Sequence, residues 1–260
     1  MSTLDRMPIW AVYLFTVGLV LLITEIGFRF GLRLQRRDPS FLQGEMPIAE
    51  VAGLLGLLGF LLAFSIGIAI NHFDTRRQLV VADANAIRMS YLRTGFLGEP
   101  DRTKARDLLR EYVDLRLAAA DPANLEEALR RSEEIHNELW SIAEGQVGQN
   151  PDGGAASFFV DAVSHMIDLY GQWLDAVSSL RLQPLMWQVL YGTAALTFSL
   201  VGLVSSADSK RNAIAWTLVA LGLAAVFMLI VDLDRPQEGV LTVSQQALRV
   251  LQRQFATPAP

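Results

Sequence analysis

Two long apolar runs near each end of the chain, with a charged stretch between the pairs, constrain the fold more than any other feature. The first, Ile9 to Ile26, is interrupted only by Thr16, Gly18, Thr24 and Glu25. At about 1.5 Å per helical residue, a run of this kind suits the roughly 30 Å of a bilayer's hydrocarbon. The second, Ile48 to Ile70, carries Glu50 near its start and no further charge until Asp74. Met186 to Val204 and Ala213 to Val231 are both uncharged, and the short polar stretch from Ser205 to Asn212 joins them as a helical hairpin. Only 19% of the residues are charged, against 52% hydrophobic. A single soluble domain is therefore the wrong starting point, and a bilayer is the first partner to expect. Because Phe28-Arg29-Phe30-Gly31-Leu32-Arg33 follows the first run in place of small residues, it reads as a retained span and not as a cleaved signal peptide.

The resulting division is an N-terminal transmembrane pair in 1–70 (spans about 9–28 and 48–70), an extramembrane helical domain in 71–183, a C-terminal transmembrane hairpin in 184–231 (spans about 186–204 and 213–231), and a turn and tail in 232–260. Four spans put the N-terminus, the middle domain and the tail on one side. The positive-inside count is close to a tie: Arg29, Arg33, Arg36, Arg37, Lys210 and Arg211 oppose Arg6, Arg76, Arg77, Arg181 and Arg235. The missing secretion signal favours a cytoplasmic middle domain, and the four arginines after span one favour the reverse.

The middle domain reads as helices throughout. Leu79, Ala82, Ala86, Met89 and Leu92 continue span two at helical spacing, and Gly95, Gly98 and Pro100 stop it. Asp101 opens a second helix to Ala120, and Asp121-Pro122 a third to about Glu144. A glycine-rich loop, Gly145 to Gly154, precedes a fourth from about Ala155 to Leu182. Val243, Leu248, Val250, Leu251 and Phe255 outline a short amphipathic helix in the tail. No segment sustains period-two alternation, so the fold class is all-α: four transmembrane helices plus an extramembrane helical bundle between spans two and three.

Several chemistries are excluded. With no cysteine there are no disulfides, thiolate metal sites or cysteine nucleophiles. Three histidines make an imidazole-rich metal centre a poor expectation, and a net charge of −5 gives no electrostatic reason to expect nucleic acid. The usual phosphate loop, His-Glu-x-x-His, Gly-x-Ser-x-Gly and calcium-loop patterns are missing, so neither enzyme, cofactor nor metal is expected.

Span two carries the most suggestive pattern. Ala52, Gly56, Gly59, Ala63, Gly67 and Asn71 recur three or four apart and place small residues along one face. That face serves close helix packing, or it lines a pore around an oligomer axis, with Gly56, Gly59, Ala63, Gly67 and Asn71 as the lining candidates. Glu25 and Arg29 lie one turn apart and are suited to an interfacial ion pair. On the fourth middle-domain helix Asp161, His165, Asp168, Gln172 and Asp175 share a face. It is either a solvated surface or a vestibule in which Asp161, Asp168 and Asp175 would favour cations; Asp161 with His165 supplies too few ligands for a metal site.

Two stretches carry a resemblance. Leu79-Val80-Val81-Ala82-Asp83-Ala84-Asn85-Ala86-Ile87, continuing through Tyr91-Leu92-Arg93, Glu99-Pro100 and Tyr112-Val113-Asp114-Leu115-Arg116, resembles the centre of the bestrophin-like domain family of bacterial membrane proteins. Val231-Asp232-Leu233-Asp234-Arg235-Pro236, with Gly239 and Val243-Ser244-Gln245-Gln246 behind it, is similar to that family's signature after the last span. The resemblance implies Asp83, Asn85, Arg88, Asp232, Asp234, Arg235 and Pro236 as signature residues. It also implies a bacterial inner-membrane location with the large domain in the cytoplasm, and the bestrophin order of two spans, a helical domain, two spans and a tail. True bestrophins are pentameric ion channels, so a homo-pentamer passing inorganic ions is the implied function. A non-conducting scaffold or sensor that binds a partner is the alternative. Gln237-Glu238-Gly239-Val240 stands where bestrophins have an acidic calcium-binding run, so calcium gating is not implied. Span two also lacks an internal proline, and Phe60 and Phe64 are its only candidates for an aromatic neck. Without the resemblance, Pro236 reads as a helix stop and its acidic and basic neighbours as boundary ion pairs, Arg235 being a partner for Asp83 or Glu50.

Overall fold

A computed structural model describes residues 8–37, 48–149, 154–207, 213–235 and 239–256. Among them no strand occurs, and the elements run α1 (Ile9–Arg37), α2 (Ile48–Arg93), a 3₁₀ turn (Thr94–Phe96), α3 (Asp101–Ala118), a second 3₁₀ turn (Pro122–Asn124), α4 (Leu125–Gln149), α5 (Gly154–Ser179), α6 (Pro184–Ser205), α7 (Ala213–Asp234) and α8 (Gln246–Ala256). Four helical stretches are long and apolar enough to cross a membrane: Ile9–Arg37, Ala49–Phe96, Ser157–Ser205 and Ala213–Asp234. The chain divides into two compact units. One combines α1, α2 as far as Asn71, α6, α7 and Gly239–Leu241; the other takes α2 from His72, α3, α4, α5 and α8.

In the first unit α1 lies against α6 and α7. The α1–α6 crossing is close because glycine sits on both sides. A Cβ on Gly27 would strike the Ser199 carbonyl, one on Gly31 the Ser206 hydroxyl, and one on Gly202 the Thr24 carbonyl. Lipid offers no hydrophobic drive for helices to associate, so dispersion across such backbone contacts holds them together. Aromatic rings fill the flanks, with Phe28 edge-on to Trp216 at 5.4 Å and Tyr191 tilted on Phe227 at 4.6 Å. Thr16 shares a 3.0 Å hydrogen bond with the Tyr191 hydroxyl. Arg29 Nε donates to Glu25 at 2.6 Å, the pairing that the one-turn spacing favours.

The second unit is built around Ile87, Leu109, Tyr112, Ile135, Leu139, Phe159, Met166 and Leu248, all fully enclosed. α8 adds Leu248, Leu251 and Phe255, spaced three and four apart, and Phe255 stacks on Tyr91. Several boundaries differ from the sequence expectation: α3 stops at Ala118, and Pro122–Asn124 forms a 3₁₀ turn before α4 opens at Leu125. α4 runs through Gly145 and Gly148 to Gln149, and residues 150–153 of the expected loop lie outside the described residues. Glycine costs a helix about 1 kcal/mol each, but Gln146 donates to Asp101 at 2.7 Å and ties this last stretch to the start of α3. α5 ends at Ser179, short of Leu182, and Gln183 is extended, as the residue before a proline favours, where Pro184 opens α6.

His136, on α4, is buried edge-on between Tyr112 of α3 (5.0 Å) and Tyr170 of α5 (4.7 Å). Burial, aided by the nearby Arg116 charge, pulls its pKa from 6.5 to about 4. Between those values the unfolded chain holds a proton that the folded chain does not, so stability falls as pH falls through this window. At pH 5 the loss is about 2 kcal/mol. Thermal midpoints at pH 7.5 and 5.0 check this: the native protein drops by roughly 4–8 °C more than His136→Phe.

Candidate functional site

At 100° per residue, Leu58, Leu62, Ser65 and Ala69 fall on one side of α2, and the fold buries all four. Gly56, Gly59, Ala63, Gly67 and Asn71 fall on the other and are exposed. Among the described residues, no neighbouring atom lies within 4 Å of the position a Cβ would take on Gly53, Gly56, Gly59 or Gly67. The small-residue packing of this unit is carried out by Gly27, Gly31 and Gly202 instead. Two larger residues share the small-residue arc of α2, Phe60 between Gly67 and Asn71 (67% exposed) and Ile70 between Gly59 and Ala63, while Phe64, 58% exposed, stands at its edge. Among the described residues, the side of α2 along which small residues recur is thus the side that the chain leaves exposed.

The α5 carboxylates are all at the surface, in unlike surroundings. Asp161 accepts from Arg93 Nη1 at 2.7 Å, so a cation already sits on it. Asp161, His165 and Asp168 line one shallow groove with Arg93 and Met89, while Asp175 is exposed elsewhere on the helix. No group of three His, Cys, Asp or Glu residues suited to a metal occurs among the described residues.

The signature residues divide by task. Asp83 is fully buried and accepts from Arg116 Nε of α3 at 2.7 Å, so its partner is Arg116. Asn85 and Arg88 are exposed. Asp232 is buried and accepts the backbone N–H groups of Val240 (2.8 Å) and Leu241 (3.0 Å), one on each carboxylate oxygen. A Cβ on Gly239 would strike that carboxylate, which explains a glycine there. Asp234 is buried too and accepts the Leu182 N–H at 2.8 Å, fixing the chain that leads into α6. Arg235 is buried, and Pro236 lies outside the described residues. Both aspartates at the end of α7 therefore satisfy backbone donors. Buried amides need such acceptors, and a carboxylate supplies two oxygens where a neutral side chain supplies one.

Sequence reasoning passed over Gly27 and Gly202. The small-xxx-small pair Gly27 and Gly31 was the available signal, since it is the ordinary mark of close crossing in lipid. Arg116 carries no local signal, since nothing in its spacing announces a partner 33 residues away.

The bestrophin-like domain family matches residues 8–248. No curated protein matches the sequence. Among solved structures, a point variant of a bacterial bestrophin homologue from Klebsiella pneumoniae is similar in fold, with a TM-score of 0.66 at 14% identity over 94% of this chain and 99% of that one. A family match over nearly the whole length and a shared all-helical fold lead to one conclusion: this chain belongs to the bestrophin-like domain family.

Proposed function

We propose that the chain is one subunit of a homo-oligomeric ion channel, pentameric as bestrophins are, in which the small face of α2 lines the pore. One observation carries the reading: Gly56, Gly59, Ala63, Gly67 and Asn71 are left uncovered opposite a buried face of the same helix. An apolar helix face in lipid is no anomaly, but lipid gives no reason for small residues to recur along it every turn. A ring of such faces leaves room for hydrated ions and an apolar constriction that gates by dewetting. The unit built from α3, α4, α5 and α8 then stands outside the bilayer on the cytoplasmic side of a bacterial inner membrane. The exposed Asp168 and Asp175 make cations the preferred ions.

Purified protein in planar bilayers passes current on this reading, and Gly67→Trp lowers single-channel conductance at least several-fold by filling the axis. In asymmetric KCl the reversal potential moves towards the potassium value, and Asp168→Asn with Asp175→Asn moves it back. No current from a well-folded oligomer across ions and voltages would reject the channel in favour of a scaffold or sensor. A reversal towards chloride would reject the ion preference alone.

A further inference from the structure

The second unit holds a cavity of about 430 Å³, open to solvent on one side and walled by the middle of α2, the end of α3, the end of α5 and the segment that leads into α8. Three arginines from three elements line it: Arg76 of α2, Arg116 of α3 and Arg249 of α8. No aspartate or glutamate is among its lining residues.

Arg116 is the decisive group. Only 3% of its side chain is exposed, its guanidinium lies 3.8 Å over the Trp173 ring, and its Nε is used by Asp83. Among the described residues its two terminal nitrogens meet no hydrogen-bond acceptor, although the side chain lines the cavity. These nitrogens open onto the cavity, so their acceptors come from whatever fills it. The Asp83 bond and the Trp173 stack fix the plane of the guanidinium before anything binds, and a fixed fork matches a carboxylate or phosphate with two parallel N–H bonds.

The rest of the lining complements that fork. Arg76 is 97% buried, from an exposure of 3%, and brings a second guanidinium; Arg249 is exposed at the rim. Ser244 and Gln245 add neutral polar groups, and Trp173 adds an apolar wall. Asp83 behind the wall balances one of the three guanidinium charges, and the last turn of α3 adds helix carbonyl ends worth about half a charge, which together fall short of the three arginines. The volume suits a small organic molecule and exceeds that of a lone ion.

We infer that this cavity binds a small organic anion, a carboxylate or phosphate with an apolar body, its oxyanion seated on Arg116 between Arg76 and Arg249. The site lies within one compact unit and is independent of whether α2 conducts.

The test uses the full chain purified in detergent, with inorganic phosphate, benzoate and neutral benzamide as probes, followed by thermal midpoint and titration calorimetry. Benzoate and phosphate raise the midpoint and bind; benzamide does not. Arg249→Ala, at an exposed position, leaves the unliganded midpoint unchanged and weakens anion binding about tenfold. Ser244→Trp, which fills the cavity, abolishes it. Arg116→Gln abolishes it too, but that variant can lose its fold, so the other two carry the decision. Benzoate ahead of phosphate marks a carboxylate ligand, and the reverse order a phosphate ester. A cavity that holds water alone gives no response to either anion and overturns the proposal. So does equal binding of benzamide, or anion binding that survives both Arg249→Ala and Ser244→Trp.

Discussion

Asp83→Ala will lower the unfolding free energy by about 3–5 kcal/mol, the cost of stranding one partner of a buried ion pair. The substitution removes little volume, so the effect is electrostatic. Arg116, 3% exposed, would keep a full charge in a site whose carboxylate has gone. Its guanidinium cannot escape by losing a proton, because the arginine pKa is too high. The surroundings give no replacement: Tyr112 OH, Tyr170 OH and His136 Nε2 are buried without a partner among the described residues, yet each is neutral. Asp83→Leu with Arg116→Met should recover most of the loss, since exchanging a whole buried pair for apolar residues is close to neutral. A Tm series on the single and double variants checks both. If Asp83→Ala cost less than about 1 kcal/mol, the pair would be behaving like a surface bridge.

Gly202→Leu will be at least as damaging to the first unit. Overpacking an ordinary core costs about 1–3 kcal/mol because side chains move aside. At Gly202 the obstacle is the Thr24 carbonyl and the Phe28 amide, which belong to the α1 backbone. α1 and α6 must separate, and the Phe28–Trp216 and Thr16–Tyr191 contacts beside the crossing weaken with them. Gly59→Leu makes the control, since nothing lies near a Cβ there. Thermal aggregation in detergent should separate the two: Gly202→Leu shifts strongly downward, while Gly59→Leu leaves the monomer's own packing intact.

Much of the architecture was legible in the sequence, and the reasons are local. A span must be a nearly unbroken apolar run, because lipid leaves no other way to satisfy its backbone; hence the runs at Ile9, Ile48, Met186 and Ala213 coincide with α1, α2, α6 and α7. Glu25 with Arg29 was legible because one helical turn fixes their distance. The stripe from Gly56 to Asn71 was legible as a face, but sequence alone could not say whether the chain would cover it. What escaped the sequence depends on tertiary approach. The Asp83–Arg116 pair joins α2 to α3, the Asp232 and Asp234 carboxylates serve backbone amides 8 and 52 residues away, and the cavity around Arg116 takes its walls from four elements. The end of α4 escaped for a related reason, since the hydrogen bond from Gln146 to Asp101 outweighs the local preference of two glycines.

Cysteine accessibility tests whether the exposed small-residue face of α2 lines an ion pore, and a chain with no cysteine is suited to it. Single cysteines at Gly59, Ala63, Gly67 and Asn71, and at Leu58, Leu62 and Ala69, would be treated with a charged thiol reagent while current is recorded in planar bilayers. If the face lines the pore, the first four lose current on modification and the last three do not. Equal loss on both faces, or none at any of the four, would contradict it.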